Sequence, residues 1–314
     1  ELRGVISLVD VKNVYEIPLK LHEQALDTLV TEKLKLNVKD ADLTEWEKIS
    51  DALHHLKGEV TVGVVGKYAN SGEAYKSIIE ALVHAGIKNH VKVNVDYIDA
   101  AHLTPENIAE KLQHVDGILV PGGFGKRGIE GKILTAQFAR ENHIPYFGIC
   151  LGMQIAIIEF ARDVAHMEMA HSTEFNSATP YPVIGLIEEW TTEAGDIERR
   201  MQGGDLGGSM RLGAQTCQLT PGSLTKKIYG NQDKIIERHR HRYEMNDRFI
   251  PALEQAGMKI SGYSSVQHLV ETVEIPEHSW FIAVQFHPEF TSSPRDGHPL
   301  FASFIEAAKK QHQK

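Results

Sequence analysis

With two cysteines in the chain, Cys150 and Cys217, nucleophilic sulfur chemistry has few places to be built, and the best of them is Gly148-Ile149-Cys150-Leu151-Gly152. The stretch reads as the end of a buried strand (Ile144 to Ile149, interrupted by Pro145), one cysteine, then the start of a helix. Glycine accepts close backbone approach and positive φ, so Gly-x-Cys-x-Gly predicts a sharp strand-to-helix turn. This is the nucleophile-elbow arrangement with sulfur in place of a serine oxygen. A cysteine at a helix N-terminus meets free N–H groups and the positive end of the dipole, which favour thiolate. Taken alone, the pattern also suits a buried structural cysteine between packing glycines.

A thiol nucleophile needs a base, and the base needs a third group to orient it. The apolar strand Phe281 to Phe286 leads into His287-Pro288-Glu289, where imidazole and carboxylate stand two residues apart. On an extended backbone such residues leave on the same side, so Glu289 can fix the tautomer of His287. With seventeen histidines in the chain, a His beside an acid also occurs as a plain surface turn; its place at the end of an apolar strand favours catalysis. Acyl transfer further needs two backbone N–H donors for the developing oxyanion, each worth roughly 10²–10³ in rate. The Leu151 amide is one candidate. The second lies in Pro121-Gly122-Gly123-Phe124-Gly125, which lacks the Lys-Ser/Thr of a Walker phosphate loop. Cys217 follows Gln215-Thr216 with neither glycine turn nor partner and reads as structural.

The elements that must hold these groups alternate. Val60 to Gly66, Val91 to Ile98, Asp116 to Pro121 and the strand before Cys150 are separated by helices at Ala74 to Ala85, Pro105 to His114 and Ile129 to Asn142. That spacing predicts an α/β domain: a doubly wound, mostly parallel sheet flanked by helices, with chemistry at the carboxyl ends of its strands. A helix from Met153 to Arg162 follows, then an irregular region, Met167 to Gly213, containing a strand from Val183 to Trp190. Later strands are expected at Ile235 to His239, Lys259 to Tyr263 and Leu269 to Glu274, and a last helix at Pro299 to Lys309. Residues 1–57 form a short N-terminal extension. It reads as a strand at Gly4 to Val9, an extended piece at Val14 to Pro18, and helices at Leu19 to Leu36 and Leu43 to Leu56, the latter capped by Thr44 and Glu47. This is too little to close a core, so the extension is expected to lean on something else.

Composition sets the outer bounds. With 42% hydrophobic and 24% charged residues the chain is an ordinary globular protein. A net charge of -9 argues against nonspecific nucleic-acid binding, including by the basic run Arg238 to Arg242. Two cysteines cannot make a disulfide scaffold. With no signal-peptide core and no spanning run, a cytoplasmic protein without membrane contact is expected. The first residue is Glu1, which fits a processed or truncated piece.

Pro121-Gly122-Gly123, Gly148 to Gly152 and His287-Pro288-Glu289, in this order, resemble the class I (triad type) glutamine amidotransferases. Ser172 to Phe175, Gly207 to Gly213, Arg238 to Glu244 and Phe286 to Ser292 are similar to the CTP synthase family within it. The resemblance covers residues 58 to about 308 and implies a glutaminase domain over 58–314, with residues 1–57 similar to the end of the synthetase (amidoligase) domain with the linker. It implies that Cys150 attacks the side-chain amide of L-glutamine, that His287 is the acid/base, and that Glu289 orients it. Gly123, Leu151, Gly152, Met153 and Gln154 match the glutamine-binding and oxyanion positions. Glu174 matches the residue that takes the α-ammonium, and Arg242 the one that takes the α-carboxylate. An Arg suits a carboxylate bidentately. No metal and no cofactor of this chain's own are implied. ATP and Mg²⁺ belong to the absent synthetase domain, which aminates UTP, and the full-length enzyme is implied to be a homo-oligomer, a tetramer. The stretch Gly125 to Gly131 matches a lid responsive to GTP as allosteric effector. A free-standing γ-glutamyl hydrolase or cysteine peptidase on the same fold, and a noncatalytic docking module, are the competing readings.

Overall fold

The computed structural model describes residues 4–67, 72–186, 189–191, 197–199 and 210–314. Gly207, Gly208 and Ser209 of the predicted Gly-rich motif, and residues 187–188 of the predicted strand Val183 to Trp190, lie outside them.

The N-terminal extension departs from the expectation. Gly4 to Val9 forms no strand. Val14–Glu16 is a 3₁₀ turn that runs directly into α1 (Ile17–Glu23), with Pro18 in its first turn. Proline lacks an N–H, which the first helical turn does not use, so Pro18 opens a helix here and does not end an extended segment. The single helix predicted from Leu19 onward is two, α1 and α2 (Leu26–Lys33), broken at Ala25 with φ 58°. α3 (Thr44–His54) begins at Thr44 itself, so the N-cap is Leu43, without a side-chain cap, and the Thr44 N–H donates to Asp42 Oδ1 at 3.0 Å. Within α1–α3 Ile49 is the buried residue. The extension leans on the main domain as predicted: Tyr15 Oη bonds Glu80 and, at 2.7 Å, His84 Nε2.

From Glu59 the chain alternates. β1 (Glu59–Gly66), α4 (Lys76–Asn89), β2 (Lys92–Asp99), α5 (Ile108–Leu112), β3 (Gly117–Val120), α6 (Ile129–Glu141), β4 (Tyr146–Ile149) and α7 (Leu151–Asp163) follow in turn. Next come β5 (Ala170–Ser172), β6 (Tyr181–Leu186), β7 (Glu189–Thr191), β8 (Ile197–Arg199), β9 (Arg211–Leu219) and α8 (Leu224–Ile228). β10 (Lys234–His241), β11 (Tyr243–Met245), α9 (Ile250–Gln255), β12 (Lys259–Ser264), β13 (Val270–Glu274), β14 (Phe281–Val284) and α10 (Pro299–His312) complete the chain.

The central sheet has nine strands in the order β10-β9-β12-β13-β14-β4-β3-β1-β2. β2, β1, β3, β4 and β14 pair in parallel, as the βα alternation requires. β13, β12, β9 and β10 extend the sheet antiparallel. β3, β4 and β14 are buried along their whole length, because a core covers each face. One core packs α6 and α7 (Ile129, Ile133, Ile155, Ile158) against the sheet, and the other packs α4 and α10 (Ile78, Leu82, Phe301, Phe304). A three-layer α/β domain results, with β4 and β14 adjacent at its centre. Among the described residues, no helix is long and apolar enough to cross a membrane.

The run Arg238 to Arg242 is explained by its strand. On β10, Glu237, His239 and His241 are buried while Arg238 and Arg240 face outward.

The glycines of the turn after β4 serve clearance. A Cβ on Gly152 would stand 2.1 Å from the Val120 carbonyl oxygen, and one on Gly148 would stand 2.6 Å from the Gly152 carbonyl oxygen. Backbone cannot swing aside as a side chain can. Gly152→Ala is therefore expected to destabilise the fold by about 1–3 kcal/mol. Urea denaturation checks it, and an unchanged midpoint would contradict the packing argument.

Candidate active site

Parallel pairing puts Ile149 at the end of β4 opposite Val284 at the end of β14, so the residues that leave the two strands leave side by side. Cys150 leaves one and Gln285, Phe286 and His287 leave the other. Cys150 has φ 53° and ψ -103°, a region sparsely visited by residues with a Cβ. Such backbone strain costs on the order of 1–3 kcal/mol and persists where the surroundings over-determine it. Here Cys150 N–H donates to Val284 O at 2.7 Å, the Cys150 carbonyl accepts from Met153 and Gln154 N–H, and Tyr146 Oη donates to Gly152 O at 2.9 Å. The positive φ predicted for the turn thus falls on the cysteine and not on its flanking glycines.

The thiol stands at the N-cap of α7. Leu151 and Gly152, the first two helical residues, have no intrahelical acceptor for their N–H groups. The Pro121 to Gly125 turn closes the site from β3. A Cβ on Gly122 would lie 2.8 Å from His287 Cε1 and 3.4 Å from Cys150 Cβ, so this glycine is wedged between nucleophile and base. Gly123 lies beside Leu151, where a Cβ would be 3.5 Å from Leu151 Cδ2. A cavity of about 360 Å³ opens here, lined by Cys150, His287, Glu289, Gly122, Gly123 and, unforeseen, Arg240.

His287 Nδ1 and Glu289 Oε1 are 2.8 Å apart. The expected extended geometry is absent: β14 ends at Val284, and Pro288–Phe290 is a 3₁₀ turn with His287 as its N-cap. The turn, not a strand's alternation, brings the pair together. The carboxylate accepts the Nδ1 proton, which leaves Nε2 as the working nitrogen. Nε2 is buried without a hydrogen-bond partner. Burial pulls the imidazole's pKa down, but the neighbouring Cys150 sulfur and the Glu289 carboxylate outweigh it and push the value up to about 10. At neutral pH His287 is therefore held as the imidazolium.

Glu174 and Arg242 do not line the cavity. Glu174 sits in the turn after β5, half-buried, and its Oε1 accepts from Gly125 N–H at 3.0 Å. Arg242 joins β10 to β11, and its Nε is buried without a partner. Both act on Tyr243, whose hydroxyl is raised in pKa by burial first and by Glu174, with Arg242 working against them.

Met153 and Gln154 stand one layer behind. Met153 is fully buried in the α7 core, and the Gln154 side chain donates to Tyr243 O at 3.1 Å and Gln285 Oε1 at 3.3 Å. Neither presents a free group to the cavity. The Gly-rich loop is strapped at three points: Lys67 Nζ to Phe124 O at 2.6 Å, Gly125 to Glu174, and Arg127 to Asp99 Oδ2 at 2.6 Å.

Two features carried no sequence signal. Gln285 Nε2 lies 3.6 Å from Cys150 Sγ. Two residues after Arg242, Glu244 meets Arg211 at 3.1 Å, and Arg211 also reaches Glu271 at 2.6 Å, all three buried. His239 and His241 complete that cluster, their Nδ1 and Nε2 atoms 2.9 Å apart. Among the described residues, no group of three or more His, Cys, Asp or Glu is placed to hold a metal ion.

The family model for class I glutamine amidotransferases matches residues 72–307. The chain is 58% identical over its whole length to a CTP synthase of Acinetobacter baylyi, and spans 57% of that relative's length. It is 38% identical to the solved glutaminase domain of Trypanosoma brucei CTPS with bound acivicin, at a TM-score of 0.71, covering 80% of this chain and 94% of that one.

Proposed function

The chain belongs to the class I glutamine amidotransferase family, and we propose that it is the glutaminase part of a CTP synthase, releasing ammonia from L-glutamine for ATP-dependent amination of UTP to CTP. The observation that carries this reading is a strained cysteine at a helix N-terminus, facing an imidazole whose far nitrogen is held by Glu289 and whose near nitrogen is unengaged.

The chemistry follows from the atoms. The Cys150 thiolate adds to the side-chain amide carbon of glutamine, and the oxyanion takes N–H groups of Leu151 and Gly123. Nε2 of His287 gives its proton to the amine, the C–N bond breaks, ammonia leaves and a glutamyl thioester remains. The same nitrogen takes a proton from water, which attacks the thioester; the C–S bond breaks and glutamate is released. Glu174 holds the α-ammonium and Arg242 the α-carboxylate. Gly152, Met153 and Gln154 support the glutamine site from the layer behind it.

Residues 1–57 are read as the end of the synthetase domain with its linker, and residues 58–314 as the glutaminase domain. The chain alone is expected to make no CTP. In the full-length cytoplasmic homotetramer, ATP and Mg²⁺ serve the synthetase site, and GTP acts on the loop that carries Lys126 and Arg127. The test is ammonia release from glutamine against release from a γ-glutamyl peptide. Preference for glutamine supports the reading, preference for the peptide points to a γ-glutamyl hydrolase, and turnover of neither points to a docking module.

His287 sets the pH dependence. Its folded pKa lies above the unfolded value near 6.5, so its contribution to stability is complete below about 6.5 and is lost as pH rises through about 10. The proton needed by the leaving amine is lost in the same window. The descending limb of kcat/KM is expected near pH 10, and Glu289→Gln is expected to move it to lower pH. A pH–rate profile with the two limbs superimposed would contradict the role of Glu289.

A further inference from the structure

We propose that Gln285 is a catalytic residue: its side-chain amide donates a hydrogen bond to the Cys150 sulfur, and Gln154 locks it in the donating orientation. The inference rests on Cys150 being the nucleophile, not on which acyl donor it attacks.

The polarity of the chain of contacts is anchored by a backbone carbonyl. Tyr243 O can only accept, so the Gln154 atom 3.1 Å from it is the amide nitrogen. The same nitrogen stands 3.3 Å from one end of the Gln285 amide, and that end must therefore be the oxygen. The other end of Gln285, 3.6 Å from Sγ, is then the NH₂ group. An amide can be turned around in principle, but reversing Gln285 would set two donors against each other at Gln154.

The surroundings hold Gln285 still. It is fully buried, its own N–H donates to Glu271 O at 2.8 Å, and Cys150 N–H donates to Val284 O, the residue before it. The parallel register between β4 and β14 puts residues 150 and 285 side by side. A donor aimed at sulfur favours thiolate over thiol, because the bond is stronger to the charged form. The proton displaced from Sγ has a place to go, the unengaged Nε2 of His287. Gln154 adds a second link: it ties the orientation of this donor to the carbonyl of the residue next to Arg242, so nucleophile and carboxylate site share one bracket.

Two near-isosteric substitutions test this. Gln285→Met removes the donor. Gln285→Glu keeps the shape and the contact with Gln154 but offers sulfur an acceptor. A lost hydrogen bond to a charged group corresponds to about 10- to 100-fold, so kcat/KM for glutamine is expected to fall by that factor in Gln285→Met and further in Gln285→Glu. The fall is expected in kcat with KM little changed, and the ascending limb of the pH profile, which belongs to the thiol–imidazole pair, is expected to move to higher pH. Gln154→Leu is expected to lower kcat and also raise KM, through Tyr243 and Arg242. Alkylation of Cys150 by iodoacetamide is the second readout, slowed by the same substitutions at neutral pH. It needs no glutamine, so it still reports on Gln285 if glutamine proves not to be the substrate. Should the Gln285 variants fail to fold, Gln154→Leu, which frees the amide without touching the strand, decides alone. Unchanged alkylation and unchanged kcat in any folded variant would overturn the proposal.

Discussion

Cys150→Ala is expected to abolish ammonia release from glutamine, a fall on the order of 10⁴ to 10⁶ in kcat, because losing one member of a nucleophile–base pair removes the covalent route entirely. The protein carries its own control. Cys217 is the second free cysteine, also buried, on β9. Burial first, then the charges of Glu271 and Glu237, push its thiol far up, and its sulfur touches the Gln218 carbonyl at 3.9 Å. A Cβ on Gly262 would stand 2.8 Å from that sulfur, so the site is packed shut. Cys217→Ala is expected to leave kcat per folded molecule unchanged while lowering the melting temperature. If ammonia release survives Cys150→Ala and fails in Cys217→Ala, the triad assignment is wrong.

The largest effect on stability is expected at Arg211. Its guanidinium joins Glu244 of β11 to Glu271 of β13, with all three buried. Burial pushes the Glu271 carboxyl up to about 7 even though Arg211 works against it. Glu244 is held below its ordinary value: burial raises it, but His241 and Arg211 outweigh burial. Burial and the Arg211 charge keep His239 neutral, and Arg211 is the group that bridges the two carboxylates. Arg211→Met strands two buried acids, and breaking a buried pair in this way costs about 3–5 kcal/mol.

That cost depends on pH with a definite sign. Glu271 has a folded pKa above its unfolded one, so its contribution is complete below about pH 4.5 and is lost as pH rises through about 7. Without Arg211 that carboxyl takes up a proton on folding over a wider range. The deficit of Arg211→Met is therefore expected to be largest above neutral pH and to shrink in acid. Urea denaturation of the two proteins on either side of pH 7 reads this directly, and Glu271→Gln added to Arg211→Met is expected to recover part of the loss. Because Glu244 stands two residues after Arg242 in the chain, the folded fraction should also show a raised KM for glutamine. A deficit independent of pH would mean that the cluster is held by packing and not by charge.

The positions of the proposed nucleophile and base were legible because chain order and structure coincide there. Cys150 and His287 each come after an apolar run that could only be a buried strand, and both strands end at the same edge of the sheet. Gly122, Gly148 and Gly152 were readable as close approaches, and the clearances bear that out. Gln285 could not be read in the same way. A glutamine after four apolar residues carries no pattern, and its meaning comes from β14 lying beside β4, a pairing between strands far apart in sequence. Arg211, Glu244 and Glu271 come from β9, β11 and β13, so no local window contains them. β9 itself was missed because Arg211 to Leu219 mixes glycine, amides and cysteine, and its partners β10 and β12 supply the register that propensity does not. In the extension, Pro18 was read as a stop when it is a start: proline ends one segment and opens a helix equally well, and the residues after it decide between the two.

The central claim is that Cys150 is a nucleophile directed at glutamine, with Glu174 and Arg242 selecting the free amino acid. Its most direct test is mass spectrometry of the 314-residue chain after incubation with an electrophilic L-glutamine analogue such as a diazoketone. One adduct on the peptide containing Cys150, suppressed by excess L-glutamine and sharply slowed in Arg242→Ala, is the result expected. Labelling of Cys217, labelling indifferent to L-glutamine, or no adduct at all would contradict the claim.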